Sequence, residues 1–174
     1  MPNDDRDVAA LRLAPDLDGR QTARVGYSTV AKEIADHAAR RVTTQDDAHS
    51  APGDFIDHAL QVKAMAAELL YRAVTVERMN GTSWEDIAAK MRMTVRQVLD
   101  LYQHSDLTHL AEQRGETGVW RILAETCVAT IPGTCNPHPG RAALELDDWY
   151  AAYASHQPGD PAGTAAPNPV TAHL

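Results

Sequence analysis

The sequence lacks the features that mark a secreted or membrane-spanning protein. It has no run of about 18 apolar residues, and its first residues carry neither the cationic lead nor the apolar stretch of a secretory signal. The two cysteines, Cys127 and Cys135, are too few for a disulfide-stabilised scaffold and suit a reducing compartment. We therefore expect a cytoplasmic protein with no membrane partner.

Aromatic side chains are also scarce, with one Phe, five Tyr and three Trp in 174 residues. Aliphatic side chains and alanine must therefore form most of the core. No segment alternates apolar and polar residues as strands do, and no internal repeat is evident. The sequence predicts an all-α fold with one helical domain over residues 27–156.

Both ends of the chain have few large apolar side chains at regular spacing. Residues 1–26 mix Asp, Arg, Gly and Pro, and residues 157–174 contain four prolines. Such segments bury too little apolar surface to offset the entropy lost on ordering. We predict a disordered arm over 1–26 and a disordered tail over 157–174.

Basic side chains are in the minority, and the formal net charge is −8. This balance argues against a nucleic-acid partner, because clustered Lys and Arg are what bind phosphates. The excess acid lies outside residues 60–125, however, where eight basic side chains face nine acidic ones. The objection is therefore weaker for the middle of the chain.

Helical spacing of apolar residues predicts most of the elements. The longest helix, over 54–79, carries two apolar stripes, one through Ile56, Leu60 and Leu70, so contacts on two sides are expected. Asn80 and Gly81 end it, because glycine readily takes a left-handed conformation. The other helices are predicted over 29–42, from Ser105 or Asp106 to Gln113, over 119–131 and over 141–156.

The last two of these helices supply candidate core residues. Trp120, Leu123, Ala124, Cys127 and Val128 share one face of the first. The acidic side chains Glu145, Asp147 and Asp148 are expected on the solvated face of the second. Its core-facing residues are predicted to be Ala143, Leu146, Trp149, Tyr150 and Tyr153.

Residues 83–103, SWEDIAAKMRMTVRQVLDLYQ, predict two short helices joined by a tight turn. Ser83 can accept a hydrogen bond from the backbone of Asp86, so the first helix starts there. Small Ala88 lies where a second helix can approach closely. Arg92 and Met93 then form the turn, with Met93 directed into the core.

The second helix starts at Thr94, which forms a capping box with Gln97. Val98, Leu101 and Tyr102 are predicted to face inward. The outward side chains are Thr94, Val95, Arg96, Leu99, Asp100 and Gln103.

The segment MNGTSWEDIAAKMRMTVRQVLDLY resembles the sigma-factor-like, homeodomain-like helix-turn-helix segments of bacterial transcription regulators. The resemblance covers about residues 66–103. It departs from the family at Arg92, where glycine is common, and at Leu99 and Asp100, which are poorly suited to a DNA groove. The matching positions are Gly81, Ser83, Trp84, Ile87, Ala88, Met91, Met93, Thr94 and Val98.

The resemblance implies double-stranded DNA binding in transcription regulation, with the second helix in the major groove. Arg96 and Gln103 are expected to read bases, since Arg pairs with guanine and Gln with adenine. Thr94 and Val95 would meet a methyl group or a phosphate, and Leu99 a thymine methyl. Phosphate contacts are expected from Thr82, Ser83, Lys90 and Arg92.

Two further possibilities remain open on the residues alone: a homodimer and a function other than DNA binding. A homodimer is plausible for DNA binding, with the helices over 29–42 and 119–156 as candidate contacts. The competing function is a protein-interaction module, adaptor or antitoxin-like, that uses exposed Leu99.

The sequence contains few of the residue patterns that indicate catalysis or metal binding. It has no Ser-His-Asp order, phosphate loop or nucleotide fingerprint, so we expect no enzyme and no cofactor. Cys127, Cys135, His138 and His156 have the right atoms for zinc, but the spacing of the two cysteines matches no common zinc motif. No metal is expected.

Overall fold

The computed structural model describes residues 16–40, 49–125, 138–154 and 169–174. Within these ranges all regular structure is helical and no strand occurs, which confirms the all-α prediction. No helix among them is both long and apolar enough to cross a bilayer. The α-helices are α1 (Gly19–Ala39), α2 (Asp54–Met79), α3 (Trp84–Met91), α4 (Val95–Tyr102), α5 (Thr108–Glu125) and α6 (Pro139–Ala154).

Helix α1 begins well before the predicted residue 29, so the prediction of a disordered arm is wrong over residues 16–26. Asp18 caps the helix through hydrogen bonds from the backbone N–H groups of Arg20 and Gln21, and the Gln21 Oε1 atom accepts from Asp18 N at 2.8 Å. Leu17 and Val25 are buried in the core and stabilise the start. The rest of the arm, residues 1–15, lies outside the described residues, as does the predicted extension over 41 and 42.

The main core forms where α1 packs against α2, α5 and α6. Gly26 permits the approach of α1 to α5, since a Cβ atom there would lie 3.1 Å from Leu123 Cδ1. The helices predicted for dimer contact therefore bury apolar residues within the chain, and the dimer itself stays a prediction. The buried members of this core are Leu17, Ala23, Val25, Met79, Leu107, Val119, Trp120, Leu123, Ala142, Ala143 and Leu146.

Helix α5 is one helix where two were predicted. Its glycines interrupt the apolar periodicity and cost about 1 kcal/mol each in a helix interior, but burial of Val119, Trp120 and Leu123 outweighs this cost. At its start Asp106, one of the two residues predicted to cap it, accepts from Thr108 N at 3.2 Å. The predicted continuation over 126–131, with Cys127 and Val128, lies outside the described residues.

Helix α6 corrects two predictions about its side chains. Ala143 and Leu146 are buried as predicted, but Tyr150 and Tyr153 are exposed. Trp149 is half-buried, and its Nε1 donates to Asp36 Oδ1 of α1 at 2.8 Å. The aromatic side chains of α6 therefore lie at the edge of the core.

Asp147 of α6 is buried, against the prediction of a solvated acidic face. Its carboxylate accepts hydrogen bonds from Val170 N at 2.6 Å, and from Thr171 N at 3.2 Å and Thr171 Oγ1 at 2.6 Å. Val170 and Leu174 also pack against the main core. The disordered-tail prediction is therefore wrong over 169–174. These residues are ordered because one carboxylate accepts hydrogen bonds from several of their backbone and side-chain donors. Residues 155–168 lie outside the described residues.

Helix α2 has the predicted bounds but not the predicted contacts. One side packs on α1 through Met65 and the buried Arg72. On the opposite side only Val74 is buried, whereas Ile56, Leu60 and Leu70 are exposed. Among the described residues, the expected second contact is therefore present only at the C-terminal end of α2, where α3 and α4 pack.

Candidate nucleic-acid interface

The helix pair, defined here as residues 82–103, follows α2 without a linker. Gly81 has a φ of 87°, in the left-handed region, and closes α2 through a hydrogen bond from its N–H to the Arg78 carbonyl oxygen at 2.9 Å. The Thr82 N–H bonds to the Glu77 carbonyl oxygen at 3.0 Å. This closure fixes the direction in which the chain leaves α2.

Helix α3 starts as the sequence predicts, with Ser83 Oγ accepting from Asp86 N at 3.1 Å. Its inward residues, Ile87 and Ala88, are buried together with Val74 of α2 and Val98 of α4. The small side chain of Ala88 allows α4 to approach. These four residues form a second core, separate from the main one.

The turn between α3 and α4 depends on a left-handed residue that is not glycine. Arg92 has φ 56° and ψ 40°, a left-handed conformation that glycine adopts without steric cost. A side chain there costs on the order of 1 kcal/mol. Met93 N bonds to the Ala88 carbonyl oxygen at 3.0 Å, and Met93 packs on the second core, so the turn holds its shape despite this strain.

Helix α4 has the capping box predicted at Thr94. The Thr94 hydroxyl accepts from Gln97 N at 3.3 Å, and the Gln97 side chain accepts from Thr94 N at 2.9 Å. Val98 is fully buried and Tyr102 is half-buried against the same core. Leu101 is 58% exposed, so its predicted inward position is wrong: it lies beyond the edge of the narrow face centred on Val98.

Arg78, which the sequence analysis missed, holds the helix pair against the rest of the chain. Its Nε donates to Asp106 Oδ2 at 2.8 Å and its Nη1 to the Thr82 carbonyl oxygen at 2.6 Å. The guanidinium also lies 4.7 Å from the ring centroid of Trp84. One side chain therefore joins the end of α2, the start of α3 and the start of α5; a basic residue in the last turn of α2 was the available signal.

The carboxyl group of Asp106 makes this anchor sensitive to acid. Partial burial alone would raise its pKa, but hydrogen bonds from Thr108 and Arg78 outweigh burial and hold the pKa below its ordinary 3.8. Because the folded state has the lower pKa, the carboxylate stabilises it fully above the ordinary pKa. That stabilisation is lost as the pH falls through the ordinary value toward the folded one.

We expect Asp106→Asn to lower the melting temperature at neutral pH, and the gap from the unmodified protein to close below about pH 4. Thermal unfolding followed by circular dichroism over a pH series measures this. Asp148→Asn, which alters an exposed carboxyl on α6, is the matched control and should leave the gap near zero throughout. A gap for Asp106→Asn that stays constant into acid would contradict the role of its carboxylate.

Three basic side chains surround the turn and the first turn of α4: Lys90, Arg92 and Arg96. All three are exposed, and none forms an ion pair or side-chain hydrogen bond with any part of the chain that the structure describes. The acids Glu85 and Asp86 lie in the first turn of α3, about 7 Å along the helix axis from Lys90. The pair thus has a basic end at the turn and an acidic end at the start of α3.

Two of the predicted phosphate contacts lie at the acidic end. Thr82 Oγ1 donates to Glu77 Oε2 at 2.6 Å, and Ser83 Oγ donates to Asp86 Oδ2 at 2.6 Å. Both hydroxyl groups are directed at carboxylates, which repel a phosphate. The structure therefore groups Lys90 and Arg92 with the start of α4, and separates Thr82 and Ser83 from them.

The other predicted contacts occupy distinct parts of α4. Val95 is half-buried and packs on the second core, so its side chain is only partly available. Leu99 is also half-buried, while Arg96 and Gln103 are exposed on the outward side. Asp100 is exposed between them and is the one acid on this face of α4.

No cluster of three or more metal-ligating His, Cys, Asp or Glu side chains occurs among the described residues. His138 lies within them, whereas Cys127, Cys135 and His156 do not. The chain as a whole matches no protein-family model, no curated protein and no solved structure.

Proposed function

We propose that this chain is a cytoplasmic, non-enzymatic DNA-binding protein that regulates transcription by placing α4 in the major groove. The observation that carries this proposal is that Lys90, Arg92 and Arg96 are exposed and form no ion pair with the described residues. They lie beside α4, which buried Val98 packs against the second core. Free cations on a rigid element can exchange their counterions for phosphates without first breaking an ion pair.

The dimensions of α4 suit this role. An α-helix with its side chains is about 10 to 12 Å in diameter, which fits a major groove about 12 Å wide, and the eight residues of α4 give two turns along it. With Val98 directed to α3, Arg96 and Gln103 are available for base edges, and Lys90 and Arg92 for the backbone on one side. Asp100 opposes phosphate contact, so binding is expected to depend strongly on the three cations.

The direct test is binding to mixed-sequence duplex DNA, followed by fluorescence anisotropy across a salt series. Neutralising about three phosphates predicts that log K falls with log salt with a slope of about −3. A protein that binds no duplex even at about 10 mM salt would contradict the proposal.

Single substitutions then separate base reading from phosphate contact. Arg96→Ala is expected to weaken the preferred site by about 1 to 3 kcal/mol and to relax base preference. Lys90→Ala should weaken all sequences alike and reduce the salt slope by about one. Arg20→Ala, which removes an exposed arginine at the start of α1, is the matched control and should change neither quantity. Equal losses on every sequence for Arg96→Ala would remove it from the base-reading role.

A protein-interaction module is the second candidate function, and the exposure of Leu101 favours it. Leu101 gives α4 an exposed apolar side chain that DNA does not require. An amphipathic helix of a partner could pack on this side chain. Leu101→Asp separates the two functions, since it should abolish partner binding but only weaken DNA binding modestly through its charge.

A further inference from the structure

The outward face of α2 is apolar over its first four turns and has no cover among the described residues. Ile56, Leu60 and Leu70 are 67%, 56% and 42% exposed, and exposed Ala67 lies between the last two. With Lys63, these residues follow one another at intervals of four and three, which places them on a single stripe. The stripe extends about 21 Å along the helix.

The same face of α2 is buried further along. Val74 continues the stripe four residues after Leu70. There α3 and α4 cover the stripe, and Val74 is a buried member of the second core. The side of α2 turned away from the stripe packs on α1 through Met65 and Arg72. The face therefore has the pattern of a helix-packing surface along its whole length, and the described residues cover it only at one end.

The polar residues of this region are few and complementary. Asp57 and Lys63 are both exposed, lie six residues apart on either side of Leu60, and form no ion pair in the described part of the chain. If two α2 helices run antiparallel with Leu60 at the symmetry axis, Asp57 of each lies opposite Lys63 of the other. The same register places Ile56 opposite Ala64, whose small side chain permits a close approach.

We propose that a second copy of this chain docks on the stripe, α2 against α2 in antiparallel orientation, with Leu60 at the two-fold axis. Leu60 packs on its symmetry mate, Ile56 packs on Ala64, and the aliphatic stem of Lys63 covers the apolar centre while its ammonium group reaches Asp57. This interface makes no use of α4, so it stands independently of the proposed DNA binding.

Self-association is measured by sedimentation equilibrium of the full chain from about 1 to about 500 µM, a range suited to a contact of modest area. The expected result is a concentration-dependent rise from the monomer mass to twice that mass. Leu60→Glu should weaken association by about 100-fold, because it buries a carboxylate against its own symmetry mate. Gln61→Glu, which introduces the same charge one residue away and off the stripe, is the matched control and should associate like the unmodified protein.

A charge exchange tests the arrangement itself. Asp57→Lys alone places two lysines together at both ends of the interface, and Lys63→Asp alone places two aspartates together, so each should weaken association by about tenfold. The double variant restores both pairs and should recover association. It still carries a lysine in the first turn of α2, so recovery cannot come from relief of an unfavourable helix terminus.

Three results would overturn the proposal. One is a folded chain that stays monomeric at the highest concentration, as it would if another segment of the same chain or a different protein covered the stripe. Another is a dimer that Leu60→Glu leaves intact. The third is a double charge variant that associates no better than either single variant. Circular dichroism of every variant verifies that its exposed substitution leaves the fold intact.

Discussion

Replacing Arg72 by alanine is expected to lower the free energy of unfolding by about 3 to 5 kcal/mol. Arg72 is only 2% exposed, and its guanidinium donates to Glu68 Oε1 at 2.6 Å and to the Leu123 carbonyl oxygen at 2.7 Å. The alanine variant loses both bonds, leaves a cavity between α1, α2 and α5, and deprives Glu68 of its counter-charge. Urea unfolding at constant pH measures the loss through the transition midpoint.

The matched control for Arg72 is Arg141, which forms the same type of pair on the surface. Its Nε lies 3.2 Å from Glu145 Oε1, also four residues away on one helix. Arg141→Ala is expected to cost no more than about 0.5 kcal/mol, because surface pairs at this spacing are weak. Equal costs for the two substitutions would mean that the contact to Leu123 contributes little to the joining of α2 and α5.

Val98→Asp is expected to unfold the helix pair while the main core stays folded. Val98 is fully buried among the apolar side chains of the second core, where an aspartate carboxylate would lose its hydration. Because the members of this core differ from those of the main core, their loss need not spread to α1, α5 and α6. Hydrogen exchange should show lost protection in peptides from residues 82–105 and retained protection in α1.

Leu101→Asp supplies the control for this experiment, since it introduces the same charge on the same helix at an exposed position. It should leave exchange in residues 82–105 unchanged. The milder Val98→Ala is expected to cost roughly 2 kcal/mol of stability in the helix pair. Uniform loss of protection across the whole chain on Val98→Asp would contradict two separable cores.

The sequence predicts those elements whose signals are local. Gly81 ends α2, and Ser83 and Thr94 start α3 and α4, each by a backbone contact within a few residues of the chain. Such contacts depend on side-chain chemistry at fixed spacing, so they can be read without knowing the rest of the fold. The start of α1 has the same kind of local signal in Asp18 and Gln21, but the charged composition around it outweighed that signal in the prediction.

Contacts between distant segments could not be read in this way. The apolar spacing along α2 predicts a packed stripe but does not say which segment or chain packs on it, and the contacts expected at Ile56 and Leu60 are not found among the described residues. The burial of Asp147 likewise depends on residues 170 and 171, more than 20 positions away. Sequence periodicity identifies the apolar face of a helix, but only the tertiary arrangement shows which segment packs on that face.

In the candidate site too, some features could be predicted from the sequence and others could not. The exposed positions of Arg96 and Gln103 follow from helical periodicity once Thr94 and Val98 are placed. Two other features depend on side-chain directions, which the spacing of residues does not determine. One is the pair of hydrogen bonds from Thr82 and Ser83 to carboxylates, and the other is the role of Arg78 as an anchor.

The residues of α4 that pack against the second core are different from those on its outward surface. Val98 and Tyr102 carry the packing, while Arg96, Asp100 and Gln103 project outward without a side-chain partner among the described residues. Substitutions at the outward positions therefore alter the chemistry of the surface with little effect on stability, typically within about 0.5 kcal/mol. A combinatorial library at those three positions should consist largely of folded proteins, and it would let selection explore new binding targets on an unchanged scaffold.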